Sequence, residues 1–80
     1  MEKYEEQIFD KVRSVLMECS LPTSYISSGS GVSYYTIVNI KKNNKERKYL
    51  PETYGKLKKF FIECGCSDKS DWNDWGNYGQ

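Results

Sequence analysis

The 80-residue chain contains no histidine. This removes the side chain most often used for proton transfer near neutral pH, and a frequent metal ligand with it. There is also no glycine-rich loop followed by Lys-Ser or Lys-Thr to cradle nucleotide phosphates, and no recognisable nucleophile motif. No run approaches the roughly 20 apolar residues that a membrane-spanning helix requires. The first twenty residues are too charged to form a secretory leader. Cysteine is sparse and odd in number. Cys19, Cys64 and Cys66 do not make a disulfide framework, and Cys64-Gly65-Cys66 lacks the two-residue spacer of usual zinc sites. The expectation is a cytoplasmic chain with free thiols that is no enzyme, holds neither metal nor cofactor, and has no membrane partner.

What is present is unevenly distributed. Up to Cys19, five acids (Glu2, Glu5, Glu6, Asp10, Glu18) face Lys3, Lys11 and Arg13. From Ser20 to Ile62, eight bases face only Glu46 and Glu52, and beyond that four acids face Lys69 alone. The blocks carry −2, +6 and −3, so a net charge of +1 conceals a basic centre. Such a centre suits a polyanionic partner, although a lysine-rich stretch is also what an ordinary solvated face looks like. Lys56, Lys58 and Lys59 are read as a face of that second kind.

A chain this short makes a single domain with one modest core, for which a helical bundle is the easiest solution. Tyr4, Ile8, Val12, Leu16 and Cys19 recur at helical spacing, widened by Phe9 and Val15, with Glu5, Glu6, Lys11 and Arg13 on the wet side. Pro22 separates this helix from a short second one over Thr23 to Ser28, with Ile26 inward, closed by Gly29-Ser30-Gly31. Ser33 is placed to cap a third helix through its hydroxyl, with Ile37 and Ile40 inward and Asn43-Asn44 ending it. After a polar loop to Lys48, Leu50-Pro51-Glu52-Thr53 restarts a helix with Tyr54, Leu57, Phe60 or Phe61, and Cys64 on its apolar face, stopped by Gly65. The expected fold is an all-α, small four-helix bundle. Its domain spans residues 1–66, followed by an acidic, aromatic tail over residues 67–80.

Two short helices joined by a glycine turn suit DNA for a mechanical reason. The first fixes the angle of the second, which is narrow enough to enter a major groove about 12 Å wide. Ile26 serves as the anchor of the first helix and Ser27 as the small crossing residue. Gly31 is the turn, Val32 the plug behind it, and Ile37 and Ile40 anchor the second helix.

The stretch from Tyr25 to Lys42, with Ser30-Gly31-Val32-Ser33 followed by Thr36-Ile37, resembles the lambda repressor-like (Cro/repressor) helix-turn-helix family. The run Leu50-Pro51-Glu52-Thr53 to Leu57 resembles the helix that follows in that family, so the resemblance extends over about Glu2 to Gly65. It implies base contacts from Ser33, Tyr34, Tyr35, Val38 and Asn39. Asn39 suits an adenine edge, and Val38 or a tyrosine ring suits a thymine methyl. Two adjacent helical tyrosines cannot both face inward, so at least one should be exposed. Thr23 and Ser24 open the first motif helix, where hydroxyls and backbone N–H groups can meet a phosphate, and Lys41, Lys42, Asn44, Lys45, Arg47 and Lys48 suit backbone contacts. The function implied is transcription regulation on double-stranded DNA, as a repressor of phage or mobile-element type. A homodimer is expected because one recognition helix spans only a few base pairs.

The tail admits two readings. Trp72, Trp75 and Tyr78 are spaced by three, so a short helix would place them on one side as a contact for a second subunit or a protein partner. Alternatively the rings fold back over the small core. If the tail is the active surface, the chain is a protein-interaction or inhibitor module rather than a DNA-binding one.

Overall fold

A computed structural model of the chain describes residues 3–75, and the side chains of residues 3–72. Among these the chain is all-helical, with no strand. It forms α1 (Lys3–Glu18), α2 (Thr23–Ser30), α3 (Tyr34–Lys41) and α4 (Pro51–Glu63), and then a 3-10 helix over Lys69–Trp75. The helices pack in a cycle: α1 and α2 each lie against both α3 and α4. At the centre Phe9, Val12 and Leu16 of α1 meet Ile26, Ile37, Ile40, Leu57 and Phe61 from the other three, all essentially inaccessible to water. The apolar stripe of α1 thus faces where its period directs it, except that Tyr4, in the first turn, remains 46% exposed.

Helix ends follow local chemistry, with two corrections. Pro22 stands just before α2, and Gly31 closes that helix with φ 79°, the left-handed conformation that glycine reaches without a Cβ clash. Gly29 and Ser30, expected in the turn, belong to α2 itself. Gly29 is small for another reason: a Cβ there would lie 2.3 Å from Cε1 of Phe60, so α2 and α4 meet at this point. Ser33 precedes α3 as expected, but its hydroxyl makes no capping bond with the helix. The end of α3 is a Schellman motif. Asn43 takes φ 62°, its N–H donates to the Ile40 carbonyl, and the Asn44 N–H donates to that of Asn39. Asparagine tolerates this conformation better than most residues. Pro51 opens α4, and Gly65, with φ 81°, follows its last turn.

Two further aromatic side chains enlarge the core, Tyr49 against expectation and Trp72 as the fold-back reading of the tail expects. Tyr49, in a run that looks wholly polar, is buried beside Phe9 and Tyr54, while its neighbour Leu50 is exposed. Trp72 is 4% exposed. It stacks on Phe61 at 6.3 Å with planes 12° apart, donates from Nε1 to Ser67 Oγ at 2.9 Å, and lies under the Lys11 ammonium. The chain beyond Cys66 is therefore continuous with the core as far as Trp72, and that ring is not presented to a partner. Tyr78 and the side chain of Trp75 lie outside the described residues. Cys64, expected on the apolar face of α4, instead stands just past the end of that helix as its C-cap and is exposed.

Gly29→Ala and Gly31→Ala should both destabilise, by different mechanisms. At Gly31 nothing lies near an added Cβ, and the loss is the backbone cost of about 1–2 kcal/mol. At Gly29, overpacking against Phe60 costs about 1–3 kcal/mol and outweighs the gain of about 1 kcal/mol in helix propensity. Chemical denaturation tests this with Phe60→Leu as background. There, Gly29→Ala should become neutral or stabilising, while Gly31→Ala should cost the same as before.

Candidate nucleic-acid interface

Because Ile37 and Ile40 bury one side of α3, its N-terminal half projects away from the core. Ser33, Tyr34 and Tyr35 are exposed together, Tyr35 by 74% and Tyr34 by 49%. The two rings meet edge to face, with centroids 6.3 Å apart. Each presents a phenolic hydroxyl and an aromatic face, and the adjacent Ser33 hydroxyl makes no hydrogen bond among the described residues. Val38 is half-buried farther along the helix.

The other end of α3 is held from two directions. Lys41 Nζ donates to Thr23 Oγ1 at 2.6 Å, joining the end of α3 to the start of α2. Arg13, expected on the wet side of α1, is half-buried and donates from Nε to the Lys41 carbonyl at 3.2 Å. A guanidinium at a helix C-terminus answers both the orphan carbonyls and the negative end of the dipole. Lys41 and Thr23, both expected at phosphates, are thus engaged with each other. Ser24, the next residue of α2, is exposed.

Asn39 also differs from expectation. Its Nδ2 donates to the Tyr35 carbonyl at 2.8 Å, and its Oδ1 accepts from Asn44 Nδ2 at 3.2 Å. A bidentate pairing with adenine requires both amide atoms, so in this arrangement Asn39 and Asn44 shape the turn after α3. Asn44 Oδ1 in turn accepts from the Glu46 N–H.

The basic loop divides into one inward and three outward cations. Lys45 Nζ lies 2.9 Å from Glu6 and 3.2 Å from Asp10, one turn apart on α1, and above the ring of Phe9. The hydrogen bonds that Lys45 donates to these two carboxylates raise its ammonium above its ordinary value, so its charge persists at neutral pH but is already compensated. Lys42, Arg47 and Lys48 are exposed and make no ion pair among the described residues. Tyr49 fixes the far end of the loop: its buried ring anchors it and its hydroxyl donates to the Asn44 carbonyl at 2.8 Å.

Of the predicted site residues, the structure therefore groups Ser33, Tyr34 and Tyr35 on one exposed face. It leaves Ser24, Lys42, Arg47 and Lys48 exposed, and commits Thr23, Asn39, Lys41, Asn44 and Lys45 to contacts within the protein. Sequence reasoning missed Arg13, Glu6 and Asp10, which hold the elements in place. The four-residue spacing of Glu6 and Asp10 was a signal for a cation bridge, but not for its partner. Comparison with protein-family models, curated proteins and solved structures finds no match to the chain.

Burial raises the Tyr49 phenol above its ordinary value, against a smaller opposing effect of Arg47. A folded-state value above the unfolded one gives stability that is complete below the unfolded value, about 10, and lost as pH rises through the folded one. Tyr49→Phe should thus cost about 1 kcal/mol at neutral pH for the lost hydrogen bond. It should also flatten the decline in stability above about pH 10, as urea denaturation across the alkaline range would show.

Proposed function

We propose that this protein is a sequence-specific, double-stranded DNA-binding transcriptional regulator, in which α2, the link Gly31-Val32-Ser33 and α3 act as a helix-turn-helix. The observation that carries the reading is the exposed face of Ser33, Tyr34 and Tyr35 on a helix whose opposite side is locked by Ile37 and Ile40. A protruding helix of eight residues is about 12 Å long, which suits insertion of its N-terminal half into a major groove. Tyrosine rings suit thymine methyl groups, and the hydroxyls suit base edges or phosphates. Lys42, Arg47 and Lys48 supply the phosphate contacts, joined by Ser24. The paired Lys45 contributes structure rather than charge.

The protein acts without catalysis, binds as a homodimer on a two-fold operator, and represses, as in the family that its turn resembles. The alternative, a protein-interaction module working through the aromatic tail, is weakened by the burial of Trp72.

Selection from a random duplex library at about 150 mM salt tests this reading. Enrichment of a palindrome with half-sites roughly one helical turn apart is expected. Absence of enrichment overturns sequence specificity, and absence of binding to bulk duplex at low salt overturns DNA binding altogether. On the selected duplex, Tyr35→Ala should reduce discrimination by about 1–3 kcal/mol. Lys48→Ala should weaken all duplexes alike and lower the salt slope by about one, whereas Lys45→Ala should leave that slope unchanged.

A further inference from the structure

We propose that Cys19 and Cys66 form a reversible thiol–disulfide site oxidised by hydroperoxides, with Cys64 as its solvent-facing entry. The inference is independent of the DNA-binding reading. Although far apart in sequence, the cysteines converge: Cys19 immediately follows α1, and Cys64 and Cys66 flank the glycine that ends α4. The Sγ atoms of Cys19 and Cys66 are 2.8 Å apart, and that of Cys64 is 3.2 Å from Cys66. Cys66 is thus central, its sulfur within reach of both neighbours. All three line an open depression of about 300 Å³ with Glu18 and Ser20, large enough for a small oxidant. Cys64 is exposed, while the other two are half-buried.

Cys66 rests as a thiol. Burial, with hydrogen bonds to Cys19 and Cys64, pushes the Cys66 thiol up to about 12.

Oxidation then proceeds in balanced steps. Cys64 Sγ attacks the terminal hydroxyl oxygen of a hydroperoxide, the O–O bond breaks, and the Cys64 proton passes to the departing alkoxide, leaving a sulfenic acid and an alcohol, or water when the oxidant is hydrogen peroxide. Cys66 Sγ attacks the Cys64 sulfur, and the hydroxyl leaves with the Cys66 proton as water. Cys19 Sγ then attacks the Cys66 sulfur, and its proton passes to the departing Cys64. The net change converts two thiols and one hydroperoxide into a disulfide, an alcohol and water. A reduced dithiol reverses it by exchange.

The resulting bond ties the segment entering α2 to the segment leaving α4, and encloses α2, α3 and α4 in one covalent loop. Such closure restricts the unfolded chain and raises Tm.

The full chain is treated with equimolar hydrogen peroxide, alkylated and mapped by peptide mass spectrometry. The expected product is a monomer that has lost two hydrogens, retains one alkylatable thiol at Cys64, carries a Cys19–Cys66 link, and reverts with dithiothreitol. Cys64→Ser should give the same link more slowly, and Cys66→Ser should give no intramolecular link. Circular dichroism of each reduced variant verifies its fold. A final Cys64–Cys66 link, over-oxidation without a link, or intermolecular products alone would overturn the proposal.

Discussion

Neither α2 nor α3 is long enough to remain helical in water on its own, since an isolated helix of eight residues does not recover the cost of nucleation. Their existence depends on the burial of Ile26, Val32, Ile37 and Ile40 against α1 and α4. At roughly 1.5–3 kcal/mol for each fully buried large aliphatic side chain, this packing outweighs any cap or ion pair in the molecule. It also orients α3: with Ile37 and Ile40 inward, Tyr35 falls on the opposite, solvent side and Tyr34 on the flank beside it.

Polar contacts refine what packing sets. Arg13 and the Lys41–Thr23 pair fix the end of α3 relative to α1 and α2, and Asn39 with Asn44 shapes the turn that follows. Lys45 fastens the basic loop to α1 through Glu6 and Asp10, with Tyr49 anchoring its other end. The residues that position the candidate face are thus separate from those that form it. At the end of α3 and in the loop after it the exposed cations are Lys42, Arg47 and Lys48, and the acids of α1 are partly consumed in holding Lys45. The basic centre visible in the sequence is therefore less basic at its surface than its count suggests.

Features governed by local rules were legible in the sequence. The inward set of Ile8, Val12, Ile26, Ile37 and Leu57 followed from period, and the helix ends at Gly31, Asn43, Pro51 and Gly65 followed from turn and cap chemistry. Features governed by a distant partner were not. Gly29 reads as a turn residue until Phe60 is seen above it, and Asn39 reads as a free amide until Asn44 is brought beside it. Trp72 reads equally as a surface contact or as a ring folded back over the core, and only its stacking on Phe61 selects the second. Lys45 resembles its neighbours Lys42 and Lys48 in every local respect, and only the fold separates them. The three cysteines have no framework spacing, yet the helix ends gather them.

The account rests on α3 presenting its N-terminal half to a DNA groove. An amide NMR titration with a selected duplex tests this most directly. It predicts the largest perturbations at Ser33, Tyr34, Tyr35 and Thr36, with smaller ones at Ser24, Lys42, Arg47 and Lys48. Perturbations centred instead on the segment from Ser67 to Trp75, or none at saturating duplex, would contradict it.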